Sequence, residues 1–175
     1  MKYKINTKAI PMLVILFIAI VFIAFLKMQD SSDWFSDDLF AEISYEVPSK
    51  FESSDYTYSR HYSYYDNDVY CNLNIESDDS SIYDDFKDWF MNSVHFNLSD
   101  KISELKEITI NGHEMYYVDK KSKNSTVYYY GVKSSNYYYS ITYTLNDYEN
   151  GDRADIDTNL CYTAKDKIIS TIQVK

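Results

Sequence analysis

The chain is 175 residues long, room for one ordinary domain with an appendage, and its three glycines and two prolines exclude collagen-like and long low-complexity architectures. Its net charge is −10, and because residues 1–27 contain four lysines and no acid, the remainder is more acidic than the whole. Such a surface repels phosphate backbones and argues against nucleic acid as a partner.

Residues 9–26, "AIPMLVILFIAIVFIAFL", are an apolar run that carries no charge. At the helical rise per residue this run reaches ~27 Å, close to the hydrocarbon thickness of a bilayer, and it is expected to be a transmembrane helix. Lys2, Lys4 and Lys8 precede it, whereas Lys27 is followed by Asp30, Asp33, Asp37 and Asp38. That asymmetry places residues 1–8 in the cytoplasm and the rest outside. A removed signal peptide stays open, although its hydrophobic core is usually shorter, about 7–15 residues, and no A-x-A-like site follows here. The expected location is the cell membrane, single-pass, with the lipid bilayer as first partner and the C-terminal domain extracellular. Residues 27–42 read as a juxtamembrane connector, with Trp34 and Phe35 placed for the headgroup level.

Residues 43–175 are expected to form one extracytoplasmic α+β domain, an antiparallel sheet with two packed helices. "ISYEVPSKFE" (43–52) is extended and broken by Pro48. Residues 56–65 and 69–76 alternate with period two around a turn at 66–68, with Val69, Cys71, Leu73 and Ile75 on one side, which is a half-buried hairpin. Residues 80–96 change to helical spacing, with Ser81 and Asp84 as a capping-box-like start and Ile82, Phe86, Trp89, Phe90 and Val94 as the stripe. In 105–118, Asn111-Gly112 predicts a type I′ turn pairing Ile110 with His113 and Ile108 with Met115.

Residues 126–145 hold seven tyrosines in twenty positions. With 133–136 as a loop, Val132 is expected opposite Tyr137 and Tyr130 opposite Tyr139. Tyr128, Tyr130, Tyr137, Tyr139 and Tyr143 then share a face with Val132, Ile141 and Leu145, as a packed sheet requires. Tyr129 and Tyr138 lie on the other face and remain the exposed candidates for ligand contact. Residues 146–157 form an acidic loop, and 158–174 a closing helix capped by Asp157 or Thr158, with Leu160, Cys161, Ala164, Ile168 and Ile172 as its stripe.

Cys71 and Cys161 both lie on apolar faces, their number is even, and the expected compartment is oxidising, so a Cys71–Cys161 disulfide is predicted. The loop it closes is worth about 4 kcal/mol in the chain-entropy model. No cofactor or metal is expected. "HEMYY" lacks the second histidine of H-E-x-x-H, and there is no Cys-x-x-Cys. The loop 146–157 fails the EF-hand pattern, since Gly151 falls at its fifth position; an irregular Ca²⁺ site there stays open.

The order of these parts resembles the small exported domains of Gram-positive bacteria with a PsbP-like fold. The likeness covers 43–174 and is carried by V-P-x-x-F at Val47, Pro48 and Phe51, by the Asn-Gly turn and by the terminal I-I-x-[ST]-I ending at Ile172. It implies an antiparallel sheet with packed helices and a binding or scaffolding role, with no catalytic residue to carry over. One departure is the lack of a lipobox cysteine, for which the apolar span substitutes. The expected function is therefore non-enzymatic: a membrane-anchored binding or assembly module with an envelope protein or cell-wall polymer as partner. Three rivals stay open. They are a glycan- or peptide-binding module using Tyr129 and Tyr138, a hydrolase built on His61 or His113 beside a serine or acid, and a membrane-anchored self-protection protein.

Overall fold

The computed structural model describes residues 34–37, 40–66, 68–94, 101–147 and 158–175. The chain divides into two units, Met1–Phe35 and Ser36–Lys175. Of the first, only Trp34 and Phe35 are described, as the start of strand β1 (Trp34–Asp37). All other described residues belong to the second.

Period-two patterning builds the larger sheet. In β5 (Val69–Asp79), Val69, Cys71, Leu73 and Ile75 are fully buried, while Tyr70, Asn72 and Asn74 between them stay half-buried. β10 (Tyr137–Asp147) repeats the pattern with Tyr139, Ile141, Tyr143 and Leu145. With β3 (Glu52–Tyr56), β4 (Ser59–Asp66), β6 (Lys101–Ile102), β7 (Lys106–Ile110), β8 (His113–Lys121) and β9 (Ser125–Lys133) they make eight strands in the order β3-β4-β5-β10-β9-β8-β6, with β7 paired to β8. These pairings are antiparallel. A second sheet has the order β1-β2-β11, where β2 is Ile43–Pro48 and β11 is Gln173–Val174.

The two α-helices cover opposite faces of the larger sheet. Helix α1 (Phe86–Ser93) opens at Asp85, whose carboxylate accepts from the Asp88 N–H at 2.9 Å. It packs Trp89 and Phe90 against Val118 and Tyr138. Gly131 makes room for it: a Cβ there would lie 2.6 Å from the Phe90 ring. Helix α2 (Leu160–Thr171) opens at Asn159, which accepts from the Cys161 N–H at 3.0 Å, and buries Cys161, Ala164, Ile168 and Ile169. A Cys71–Cys161 disulfide, Cα–Cα 5.5 Å, staples α2 to β5. On the same face lies a buried polar cluster. Tyr62 donates to Asp37, the Tyr45 and Tyr62 hydroxyls are 3.3 Å apart, and Arg60 Nε is 3.6 Å from Asp37.

The described residues thus form an α+β fold with large antiparallel sheets and two α-helices, and several expectations are corrected. The transmembrane helix expected at 9–26 lies outside the described residues. Among those described, no helix is long and apolar enough to cross a membrane. The physical reason is length and charge: α1 and α2 have 8 and 12 residues and carry Lys87 and Asp88, or Lys165, Asp166 and Lys167. They extend only ~12 and ~18 Å against a hydrocarbon core of about 30 Å. The single-pass topology, the bilayer as partner, the cell-membrane location and the envelope or cell-wall partner thus find no support among the described residues and are withdrawn. So are the membrane-anchored binding or assembly role, its glycan- or peptide-binding envelope variant, and the self-protection role.

Local expectations also change. Residues 56–65 are not one strand: β3 ends at Tyr56, the chain turns through Thr57 and Tyr58, and Tyr56 and Tyr58 are exposed. Residues 80–82 are one turn of 3-10 helix capped by Asp79, and the α-helix starts only after Asp85, which leaves Ile82 exposed. The β9–β10 register differs by two residues from the expected one: Val132 faces Tyr139 and Tyr130 faces Ile141. Because the slip is even, every side chain keeps its face.

A candidate cleft between two hairpin tips

At one rim of the larger sheet the β7–β8 and β9–β10 hairpin tips border a cleft of about 550 Å³. The first tip is the Asn111-Gly112 turn, with φ of 51° and 83°, the two positive values a type I′ turn requires. The Asn111 side-chain amide donates to the carbonyls of Ser170 and Ile172, both at 2.8 Å, and so ties this tip to the end of α2. The second tip is tied by Glu42. Its carboxylate accepts from the Ser134 hydroxyl at 2.5 Å, from the Asn136 N–H at 3.0 Å and from the Asn136 side-chain amide. Those bonds, the Ser134 one first, hold Glu42 below the usual carboxylate range.

Between the tips the cleft is aromatic and acidic. The ring of Tyr116 lies 5.0 Å from Phe86 and 5.9 Å from Phe90, centroid to centroid. In the β7–β8 register Glu107 faces Tyr116 and Thr109 faces Glu114, so Glu107, Thr109, Glu114 and Tyr116 share one face. Burial, and after it repulsion from Glu107, Asp85 and Glu114, raises the Tyr116 pKa above the ordinary phenol value. The basic group of the wall, Lys133, has its Nζ 5.9 Å from the Tyr138 ring centroid.

The residues singled out in the sequence fall in different places. Cys71 and Cys161 meet in the disulfide, under α2. Tyr138 is only 5% exposed and sits beneath α1 against Phe86 and Trp89, at 4.9 and 5.2 Å. Tyr129 is half-buried at the edge of the same cluster. A ligand would reach Tyr138 only if α1 moved. His113 is half-buried in the cleft wall, whereas His61 lies away from it on β4, opposite Ser54 of β3. His95 and residues 148–157 of the acidic loop lie outside the described residues. Among the described residues no group of three or more His, Cys, Asp or Glu could hold a metal ion.

Sequence reasoning missed the cleft itself. Its β7–β8 wall was legible, because the Asn-Gly turn already puts Glu107 and Glu114 on one face. The Glu42 tie to Ser134 joins positions far apart in the chain and left no local signal.

No family model matches the chain, and no curated protein matches it. A crystal structure of a protein from Bacteroides thetaiotaomicron VPI-5482 is similar to it at 17% identity and a TM-score of 0.49. The match covers 77% of this chain and 46% of that one, so the chain spans less than half of that protein's length. The PsbP-like resemblance is corrected by the structure: the motifs that carried it are local devices of this fold. Pro48 accepts from the Phe51 N–H at 3.0 Å where β2 ends, Asn-Gly makes a tight turn, and Ile168, Ile169 and Ile172 bury the end of α2.

Proposed function

We propose that the chain is a non-catalytic recognition domain whose cleft takes a positively charged group, an ammonium or guanidinium, against the Phe86–Tyr116 surface. The observation that carries this reading is geometric: Glu107 and Glu114 share the sheet face of Tyr116, whose ring lies 5.0 Å from that of Phe86, and all four line the cleft. An aromatic face attracts a cation with about 0.5–1 kcal/mol at exposed sites and ~2 kcal/mol when desolvated, and the carboxylates add to it. Both tips are held in place before a ligand arrives, which lowers the ordering cost of binding. The non-catalytic part of the reading rests on Ser134, whose hydroxyl donates to Glu42 and not to His113, the histidine that lines the same cleft.

The test is a titration of the isotope-labelled chain with butylammonium, using butanol and butyrate as controls of similar size. Butylammonium alone is expected to shift the amides of residues 107–116 and 133–135, and Glu107→Gln with Glu114→Gln to abolish the shifts. An equal response to butanol or butyrate contradicts the reading.

A further inference from the structure

Strand β7 lines this cleft and a second cavity as well. The second is a groove of about 370 Å³ on the opposite face of the sheet, between β7 and helix α2. Its walls are Ile108 and Ile110 of β7, Tyr117 and Tyr130 of the neighbouring strands, and Ile169 of α2, with Lys106 and the Lys165–Asp166 ion pair at its border. β7 therefore presents Glu107 and Thr109 beside Glu114 and Tyr116 on the α1 side and Ile108 and Ile110 on the α2 side, with Ile108 reaching both cavities.

Among the described residues β7 pairs with β8 alone. Lys106, Glu107 and Thr109 are exposed, and Ile108 and Ile110 half-buried. A two-residue hairpin loop makes Ile110 and His113 a hydrogen-bonded pair, and antiparallel pairs alternate from there. Ile108 consequently bonds with Met115, while the backbone N–H and C=O of Glu107 and Thr109 point away from β8 to the open edge. An edge of this kind pairs with an incoming strand unless something blunts it.

Building on the cation reading of the cleft, we infer that the charged group arrives on an extended polypeptide segment that pairs with β7 as an added strand. Strand addition sends alternate side chains to opposite faces. Those on the α1 side meet Glu107, Glu114 and Tyr116 and are cationic. Those on the α2 side meet Ile108, Ile110 and Ile169 and are apolar. The partner thus alternates basic and apolar residues. A second copy of this chain fits poorly, because its net charge is −10 and β7 against β7 would bring Glu107 and Glu114 of both copies onto one face.

The test compares three blocked peptides on the full chain: alternating Lys and Val, alternating Glu and Val, and the Lys/Val peptide N-methylated at alternate residues on its pairing edge. The Lys/Val peptide is expected to bind tighter than butylammonium and to slow hydrogen exchange at the Glu107 and Thr109 amides. N-methylation is expected to weaken it about tenfold, the cost of losing a few modest backbone hydrogen bonds, and the Glu/Val peptide not to bind. Equal binding of the methylated and unmethylated peptides, with those two amides unprotected, overturns strand addition and leaves the cation reading standing. Failure of butylammonium as well overturns both. Self-association of the chain without peptide, with protection of the same amides, also overturns the inference.

Discussion

The two faces of the eight-stranded sheet are closed by different means. Under α2, Cys71, Leu73, Ile75 and Ile141 are fully buried, a disulfide ties helix to strand, and Tyr143 donates to the Cys161 carbonyl at 2.7 Å. Under α1 the cover is an aromatic cluster in which Tyr83, Phe86, Tyr116 and Tyr129 are only partly buried, and beyond it Asn72, Asn74, Thr142 and Thr144 remain half-exposed. The first face supplies the dry core on which stability depends. The second is left half-open, and its open rim is where carboxylates and rings come together. One sheet thus divides stability and the proposed recognition between its two sides.

Removing the staple is the strongest way to break this comparison. Cys71→Ala with Cys161→Ala frees a 90-residue separation and is expected to cost about 4 kcal/mol in urea denaturation. A cost no larger than that of a surface substitution would mean that the α2 face does not carry the stability. On the other face, Gly131→Ala forces a Cβ into the Phe90 ring and is expected to cost about 1–3 kcal/mol. Phe90→Leu in the same chain should recover part of that loss; two independent, additive losses would show that α1 does not rest on Gly131.

Alkaline pH sharpens the contrast further. Burial raises the phenol pKa of Tyr45, Tyr62, Tyr130 and Tyr143, all on the α2 side, above the ordinary 10.0. Such groups contribute full stability below the unfolded value. They lose it as pH rises past about 10, because the unfolded phenols ionise while the folded ones hold their protons. The urea midpoint should therefore fall steadily above that pH, and a flat profile through the range would show those rings to be accessible. The smallest effect is expected at the cleft. Glu42→Gln should leave the urea midpoint nearly unchanged while speeding amide exchange at Asn136. Since Glu42 titrates below its ordinary 4.5, the tie it makes is present above that pH and lost as pH falls further.

What could be read from the sequence divides along the same line. The α2 face was legible because Val69, Cys71, Leu73 and Ile75 alternate cleanly and meet the Cys161, Ala164 and Ile168 stripe, which also paired the cysteines. An even register slip between β9 and β10 did no harm to that assignment. The α1 face was not legible. Tyr138 looks like an exposed aromatic in a strand, and only the docking of Phe90 over Gly131 turns it into core. β6 and β11 are two residues long, β1 is four, and β3 is the polar run ESSDY, so none announces itself by pattern. The β7–β8 half of the cleft followed from the Asn-Gly turn, whereas its other half depends on Glu42 reaching Ser134 and Asn136 from a distant part of the chain.

The most direct measurement is of nuclear Overhauser contacts between the methylene protons of bound butylammonium and the ring protons of the chain. Contacts to Phe86 and Tyr116, lost on Glu107→Gln with Glu114→Gln, are what an acidic, aromatic cation site predicts. Contacts confined to other rings, such as the exposed Tyr56 and Tyr58, or contacts that persist after both acids are neutralised, would contradict it.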